Sequence, residues 1–391
     1  MFGERILRIA ARGDGVSDTG RFISGTAPGD FIASDGVVVP GPHRATPPCR
    51  HFGRCGGCQL QHIDDGSYAQ FIVDRIVSAL AEQRIDAPRF APVHLSPPRT
   101  RRRASLRAER RGRAVAVGFN EANSHGIVDL HECHVLLPEL FALIAPLRAL
   151  LSVILPDRAR VTITLTWADQ GADVMLAGQV NDNLATLEGV TDFASAHRLA
   201  RFTINAGFGP ETRWSPVPPT VTLGGTSVAL PEGAFLQATA DGEAALVAAV
   251  RGTVEGAANV VDLFAGLGTF ALSLDGQVKA VEGNRDAALA LIATRRVSVE
   301  HRDLFRRPLT VVELAKAQAV VLDPPRAGAR EQIGDLAKSS VPRIAYVSCN
   351  PATFARDARV LIDGGYRLDR ITPVGQFRWS THVELAAAFE R

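Results

Sequence analysis

Three rhythms of apolar and polar positions run along the chain. Between about residues 4 and 40, short apolar runs (Arg5-Ile6-Leu7-Arg8-Ile9, Phe22-Ile23, Val37-Val38-Val39) alternate with turn formers at Gly13-Asp14-Gly15 and Pro28-Gly29-Asp30. This is the pattern of a small or incomplete β-barrel. Phe71, Ile72, Ile76, Val77 and Leu80 then recur at helical spacing and predict a helix over Tyr68 to Gln83. From Arg101 to about Leu230 strand-like runs dominate: Ala114 to Phe119, Val161 to Trp167, Asp173 to Ala177 and Phe202 to Ala206. One helix is expected among them, around Leu136 to Ser152, and the Pro-rich stretch from Trp214 to Pro219 reads as a loop. Beyond about residue 231 strand and helix signals alternate, which argues for a parallel, doubly wound α/β sheet. The chain therefore divides into a short β region (1–45), a central, mostly-β region (46–230) and an α/β domain (231–391).

A chain of 391 residues can bury more than one core. No apolar run reaches membrane-spanning length and the first residues lack an apolar signal core, so a cytoplasmic protein is expected. The oligomeric state is not readable, and a monomer is the default. The net charge of +2 excludes a polycation that coats nucleic acid indiscriminately. The basic residues are nevertheless concentrated: Arg99, Arg101, Arg102, Arg103, Arg107, Arg110, Arg111 and Arg113 stand against the single acid Glu109, a density that suits phosphate contact as well as a solvated face.

An odd number of cysteines, five, argues against a disulfide framework. Cys49, Cys55 and Cys58 sit in CRHFGRCGGCQLQH, where Gly56 and Gly57 let the backbone fold closely around a metal centre, and Cys133 is the remaining early cysteine. Spacing alone favours structural zinc, with an iron–sulfur cluster as the sharper alternative. His51, His62, His131 and His134 read as surface residues beside this turn. The fifth cysteine, Cys349, ends the apolar run Ile344 to Val347 and precedes a helix that Asn350 can cap and Pro351 can start. A helix N-terminus favours the thiolate, so Cys349 is a nucleophile candidate, against the commoner alternative of an inert buried thiol.

In the α/β domain, Asn259 to Leu263 forms a strand that carries Asp262 near its end and runs into the turn Ala265-Gly266-Leu267-Gly268, with a helix expected to follow. The next strand ends at Glu282, placed to bind ribose hydroxyls. A nicotinamide enzyme satisfies the same loose glycine pattern. Asp262 favours S-adenosylmethionine instead, because an acid there repels a pyrophosphate and suits a cationic amino-acid end. The later VVLDPPR, with Asp323 at the strand end, points the same way.

Taken together, CRHFGRCGGCQLQH with Cys133, PEGAFLQ, VVDLFAGLGTF, DPPRAG, YVSCNP and STHVE resemble the RNA 5-methyluridine methyltransferase family, especially its iron–sulfur-containing RlmD-like branch, from about residue 49 to the end. The resemblance implies a Rossmann-like S-adenosylmethionine (SAM) domain, a central iron–sulfur domain and a short TRAM-like β-barrel. It implies that Cys49, Cys55, Cys58 and Cys133 hold a 4Fe-4S cluster, and that Gln237, Phe264, Glu282, Asp303 and Asp323 contact SAM. Phe235 would stack near the target base, with a core Phe as the alternative. Cys349 would add to carbon 6 of a uracil and Glu384, in STHVE, would remove the proton from carbon 5; His382 would be structural. The implied partner is RNA, 23S ribosomal RNA favoured over transfer RNA. The chain departs from the family pattern in its abbreviated N-terminal stretch, in Thr239 and in Thr269, where asparagines are usual. Against an amino-directed methyltransferase, Arg326 rather than an aromatic follows Asp323-Pro324-Pro325; a catalytically silent RNA-binding relative is disfavoured by the presence of both Cys349 and Glu384.

Overall fold

A computed structural model describes residues 3–122 and 124–391; Met1 and Phe2 of the N-terminal β region, and Asn123, lie outside the described residues. The site is positioned by a sheet whose strands are β1 (Asn259–Leu263), β2 (Gln277–Glu282), β3 (Ser298–His301), β4 (Ala319–Leu322), β5 (Arg343–Ser348), β6 (Arg367–Gly375) and β7 (Glu384–Glu390). Their spatial order is β3-β2-β1-β4-β5-β7-β6. β1 to β5 are mutually parallel, and β7 inserts antiparallel between β5 and β6. The short pieces Arg89–Phe90 and His94–Leu95 extend the sheet along β6.

Val260 to Leu263, Ala319 to Leu322 and Ile344 to Val347 are buried throughout, which is why these strands read as apolar runs, broken only by Asp262. Among the described residues the two faces are covered mainly by α1 (Asp65–Glu82), α2 (Ala240–Val254), α3 (Arg285–Ala293), α4 (Arg330–Lys338) and α5 (Pro351–Asp363), with the one-turn helix Val311–Leu314 adding Leu314. α1, α4 and α5 pack Ile72, Ile76, Ile333, Leu336, Phe354 and Leu361 against one face. Leu246 and Val250 of α2 and Leu291 of α3 cover the other. α1, far upstream in sequence and grouped there with the central region, thus belongs to the core of this sheet. The expected helix after the glycine turn is reduced to one 3-10 turn, Ala271–Ser273. The chain must reverse at Gly276, in the left-handed region at φ 85°, to enter β2 at Gln277, and no length remains for a helix.

The central region is a six-stranded sheet in the order Glu211–Trp214, Arg201–Asn205, Gly171–Ala177, Arg160–Ala168, Arg103–Arg111, Ala114–Gly118. Where one helix is expected, two occur, Pro138–Ala142 and Ile144–Ile154, broken at Leu143. A further helix, Leu184–Ala196, was not legible. Its Leu184 and Leu187 are exposed while Val190, Phe193 and Ala194 are buried, so its apolar pattern is irregular, and Thr and Gly weaken its propensity. Asn183 caps it by accepting from the Thr186 amide at 3.0 Å. The N-terminal strands form a small five-stranded antiparallel sheet. Among the described residues no helix is long and apolar enough to cross a membrane.

One buried carboxylate joins β5, α5 and the loop after β4. Asp357 accepts from the Tyr346 hydroxyl at 2.7 Å and from the Ala329 amide at 2.8 Å, and Arg356 pairs with its other oxygen. Asp357→Ala leaves both donors buried and unpaired. The expected cost is about 3 kcal/mol, read as a melting temperature several degrees lower; an unchanged melting curve would show the network to be idle.

Candidate active site

Parallel strands end on one edge of a sheet, and an antiparallel strand begins there. The C-terminal ends of β1, β2, β4 and β5 and the start of β7 therefore converge. Ser348 pairs with Leu385 in the β5–β7 register, so the next positions, Cys349 and Glu384, face each other across the strand ends. Leu263 pairs with Leu322, which sets Phe264 beside Asp323. Lys279 to Glu282 pair with Ser298 to His301, and Asp303 lies just beyond β3 on the same edge.

The residues expected at the cofactor end are tied to one another. Glu282 accepts from the Gly266 amide at 2.7 Å and the Asn284 amide at 2.5 Å, joining the β2 end to the glycine turn. Phe264, in the left-handed region at φ 61°, lies 5.5 Å from Phe305, ring centre to ring centre. Asp303 accepts from the Phe305 amide at 2.9 Å and is half exposed. Gln237 donates to Asp323 at 3.2 Å and accepts from Gln376 Nε2 at 2.7 Å, while Gln376 Oε1 accepts from the Ala238 amide at 2.9 Å. Gln376 is buried and was missed in the sequence. Its signal was faint: one glutamine between a strand and STHVE, whose partner lies 139 positions away. Asp262 is fully buried and accepts from the Ala271 amide at 2.9 Å. Burial, then the nearby Asp323 and Glu282, push its carboxyl well above the usual range.

At the reactive end the local expectation for Cys349 is reversed. Asn350 does cap α5, accepting from the Ala352 amide at 3.2 Å. Yet burial, then the Glu384 and Asp323 carboxyls, push the Cys349 thiol up to about 11, against the opposing pull of Arg326. Loss of hydration and like charge outweigh the helix terminus. Glu384, 4 % exposed, is pushed up to about 8 by burial and then by Asp323, and its Oε2 has no hydrogen-bond partner among the described residues. Asp323 is pushed up to about 7 by burial, opposed by the Gln237 hydrogen bond. The pocket thus holds two carboxyls poised near neutrality beside a thiol. That combination suits proton removal next to a nucleophile.

Arginines and aromatics frame the mouth. Arg326 donates to His382 Nδ1 at 2.6 Å, and burial, with Arg326 and Arg101, keeps His382 below its usual pKa and so neutral. Arg101 lies over Phe377 and Arg103 over Phe235, which is 61 % exposed rather than a core residue. The arginine run is not one free cationic face. Arg102 pairs with Glu243 at 2.6 Å, Arg111 with Glu109 at 3.0 Å, and Arg110 donates to the Leu155 and Gly112 carbonyls. Glu243 and Leu155 are remote in sequence, which hid them as partners.

Away from this pocket, Cys49, Cys55, Cys58 and Cys133 line one small cavity with Phe52, Phe119, Leu130 and Val135. All four are free thiols. Backbone amides donate to three of the sulfurs, His51 to Cys49, Gly57 to Cys55, and Leu136 and Val135 to Cys133, while Gln61 reaches Cys58. Arg101 stands near Cys58 and Cys133 with its positive charge. Among the described residues no group of three or more His, Cys, Asp or Glu side chains is arranged to hold a metal ion. The cavity offers four sulfurs, amide donors and a compensating cation.

A family model described as tRNA (Uracil-5-)-methyltransferase matches residues 295–391, the part of the chain that holds Asp323, Cys349 and Glu384. A Zymomonas mobilis protein named an uncharacterized RNA methyltransferase is 48% identical over 99% of this chain and 100% of its own length. The 23S rRNA (uracil(1939)-C(5))-methyltransferase RlmD of Aeromonas salmonicida is 31% identical over 95% of this chain and 91% of its own. In fold, the chain is similar to the Pyrococcus abyssi tRNA (uracil-54, C5)-methyltransferase, solved with S-adenosyl-L-homocysteine, at a TM-score of 0.75 and 22% identity over 99% of this chain and 100% of that one. With the strand order, the strand-end acids and this full-length similarity in agreement, the chain belongs to the SAM-dependent RNA (uracil-5-)-methyltransferase family.

Proposed function

We propose that the protein methylates carbon 5 of a uridine in 23S ribosomal RNA, with Cys349 as nucleophile and Glu384 as the proton-removing base. The observation that carries this reading is the β5–β7 register, which sets Cys349 opposite Glu384 at the strand edge where Asp323 also ends. The choice of RNA is supported by the Aeromonas relative, similar over nearly the whole of both chains.

Gln237, Phe264, Glu282, Asp303 and Asp323 would hold SAM, with Glu282 facing ribose hydroxyls and Asp323 the cationic end. When bound, SAM supplies a methyl group on a cationic sulfur. Cys349 first loses its proton to bulk water, which Arg326 favours. Its thiolate adds to carbon 6, and the electron pair of the ring double bond moves toward the carbonyl oxygen at carbon 4. Carbon 5 then takes the methyl group as the carbon–sulfur bond breaks. Glu384, ionised, removes the proton from carbon 5; the double bond re-forms and expels the Cys349 thiolate. Its raised pKa makes Glu384 a stronger base than an ordinary carboxylate. Phe235 and Arg103 at the mouth suit stacking of an unpaired, flipped nucleotide. Cys49, Cys55, Cys58 and Cys133 would hold a 4Fe-4S cluster. There it would act as a staple between the 49–58 loop and the segment of Cys133.

Labelled methyl transfer to unmodified 23S ribosomal RNA and to transfer RNA tests the reading. 5-Methyluridine in the ribosomal RNA alone is expected; product in transfer RNA alone would shift the substrate class while keeping the chemistry. Cys349→Ala is expected to lose at least about a thousandfold in turnover with SAM binding kept, whereas Glu384→Gln should stall as a protein–RNA adduct that survives denaturation. Normal turnover by Cys349→Ala would sink the mechanism.

The pH dependence follows from the raised carboxyl. Glu384 acts only when ionised, so turnover by the wild type should rise as pH increases through about 8. Stability runs the other way. A carboxyl whose folded pKa is raised stabilises fully below its unfolded value and loses that contribution as pH climbs through about 8. Glu384→Gln should therefore gain in melting temperature over the wild type at pH 9 but not at pH 4; equal curves at both would remove the buried-acid explanation.

Cys58→Ser should bleach the brown colour of anaerobically purified protein and abolish its iron content. Stoichiometric zinc and no iron in the wild type would return the site to structural zinc.

A further inference from the structure

The loop that delivers Glu384, residues 376–383 between β6 and β7, is held by a segment more than 300 positions earlier. The Gln59 and Leu60 amides donate to the Trp379 carbonyl at 2.8 and 2.9 Å. The Thr381 amide donates to Gln59 Oε1 at 3.4 Å, and Gln59 Nε2 returns to the Gly56 carbonyl at 2.7 Å. Tyr68, fully buried in α1, donates its hydroxyl to the Phe377 carbonyl at 2.9 Å, with the Ser380 carbonyl at 3.2 Å. Arg378 in the loop pairs with Asp65 at the start of α1 and donates to the Ser96 carbonyl at 3.3 Å. The held backbone is an unusual one: Trp379 is in the left-handed region at φ 59° and is buried, a conformation that persists only where its surroundings impose it.

We propose that the segment from Cys58 to Tyr68 positions the catalytic base. The amides of Gln59 and Leu60 and the hydroxyl of Tyr68 fix the backbone of residues 377–381, and through it the direction in which Glu384 leaves the loop. Tyr68 touches neither the nucleophile nor the pocket, so it is a positioning residue, acting through the loop. Gln59 follows Cys58 directly, which makes the cysteine cavity and the base-bearing loop one mechanical unit. A disturbance in this segment should therefore slow proton removal from carbon 5, the step that uses Glu384, and leave bond formation by Cys349 on β5 nearly untouched. This inference rests on the assignment of Glu384 as base and extends it.

The test uses the full-length protein, as purified, in single turnover with unmodified 23S ribosomal RNA and SAM. Formation of the denaturation-resistant adduct and release of methylated RNA are followed separately for wild type, Tyr68→Phe, Gln59→Ala and Glu384→Gln. Tyr68→Phe removes one hydroxyl and keeps the ring that fills the core. For it we expect release to slow by about tenfold or more, since small displacements of a catalytic group have large kinetic effects, with adduct formation within about threefold of wild type by the same geometric argument. Gln59→Ala should show the same asymmetry more weakly, and it decides the matter if Tyr68→Phe fails to bind SAM and so is misfolded. Equal slowing of both steps, or no slowing of either, overturns the proposal. Arrest by Glu384→Gln without asymmetry in the other two leaves the base assignment standing and removes the clamp; absence of arrest in Glu384→Gln removes the base assignment, and the clamp with it.

Discussion

One pairing carries the rest of the site: the antiparallel strand β7 lodged between β5 and β6. An all-parallel sheet would bring only C-terminal strand ends to the pocket edge. Reversing one strand brings an N-terminal end there too, and the fixed register then sets Glu384 opposite Cys349. The spacing of Cys349 and Glu384 is in this way a property of backbone hydrogen bonding. A slip of one residue would turn Glu384 to the other face of the sheet, so the pairing has little freedom to drift.

The same edge concentrates acid in a poorly hydrated place. Burial favours the neutral forms of Asp262, Asp323 and Glu384, and Asp323 further raises the cost of ionising the other two. The Cys349 thiol shares that field, which is why its position at a helix N-terminus does not make it acidic. A site of this kind responds strongly to any positive charge that enters it. Cationic SAM and the Arg326 guanidinium both act in the direction that favours the reactive, ionised forms.

Much of this architecture was legible in the sequence because the local signal and the tertiary environment agree. Strands buried on both faces read as AVVL and IAYV, and the chemistry-bearing residues follow them directly, so Glu282, Asp323 and Cys349 could be placed at strand ends from the chain alone. What stayed hidden depended on partners far away. Gln376 gains meaning only from Gln237, Arg102 only from Glu243, and Tyr68 only from the loop it holds some 309 positions later. The helix after the glycine turn was misread for the opposite reason: its composition permits a helix, but the distance to β2 does not. Leu184–Ala196 escaped because the face that packs is short and the exposed side is itself apolar.

The central place of β7 also bears on how the molecule is made. In sequence it follows every other strand of the sheet, yet in space it lies inside, with β5 on one side and β6 on the other. A chain emerging from the ribosome can form β1 to β5 and cover them with helices while residues 384–390 are still in the exit tunnel. Until that last strand arrives, β5 and β6 face an open slot with unpaired backbone groups on both walls. Completion of the sheet and arrival of the proposed base, Glu384, are consequently the same event, so an incomplete chain lacks the carboxyl that faces Cys349.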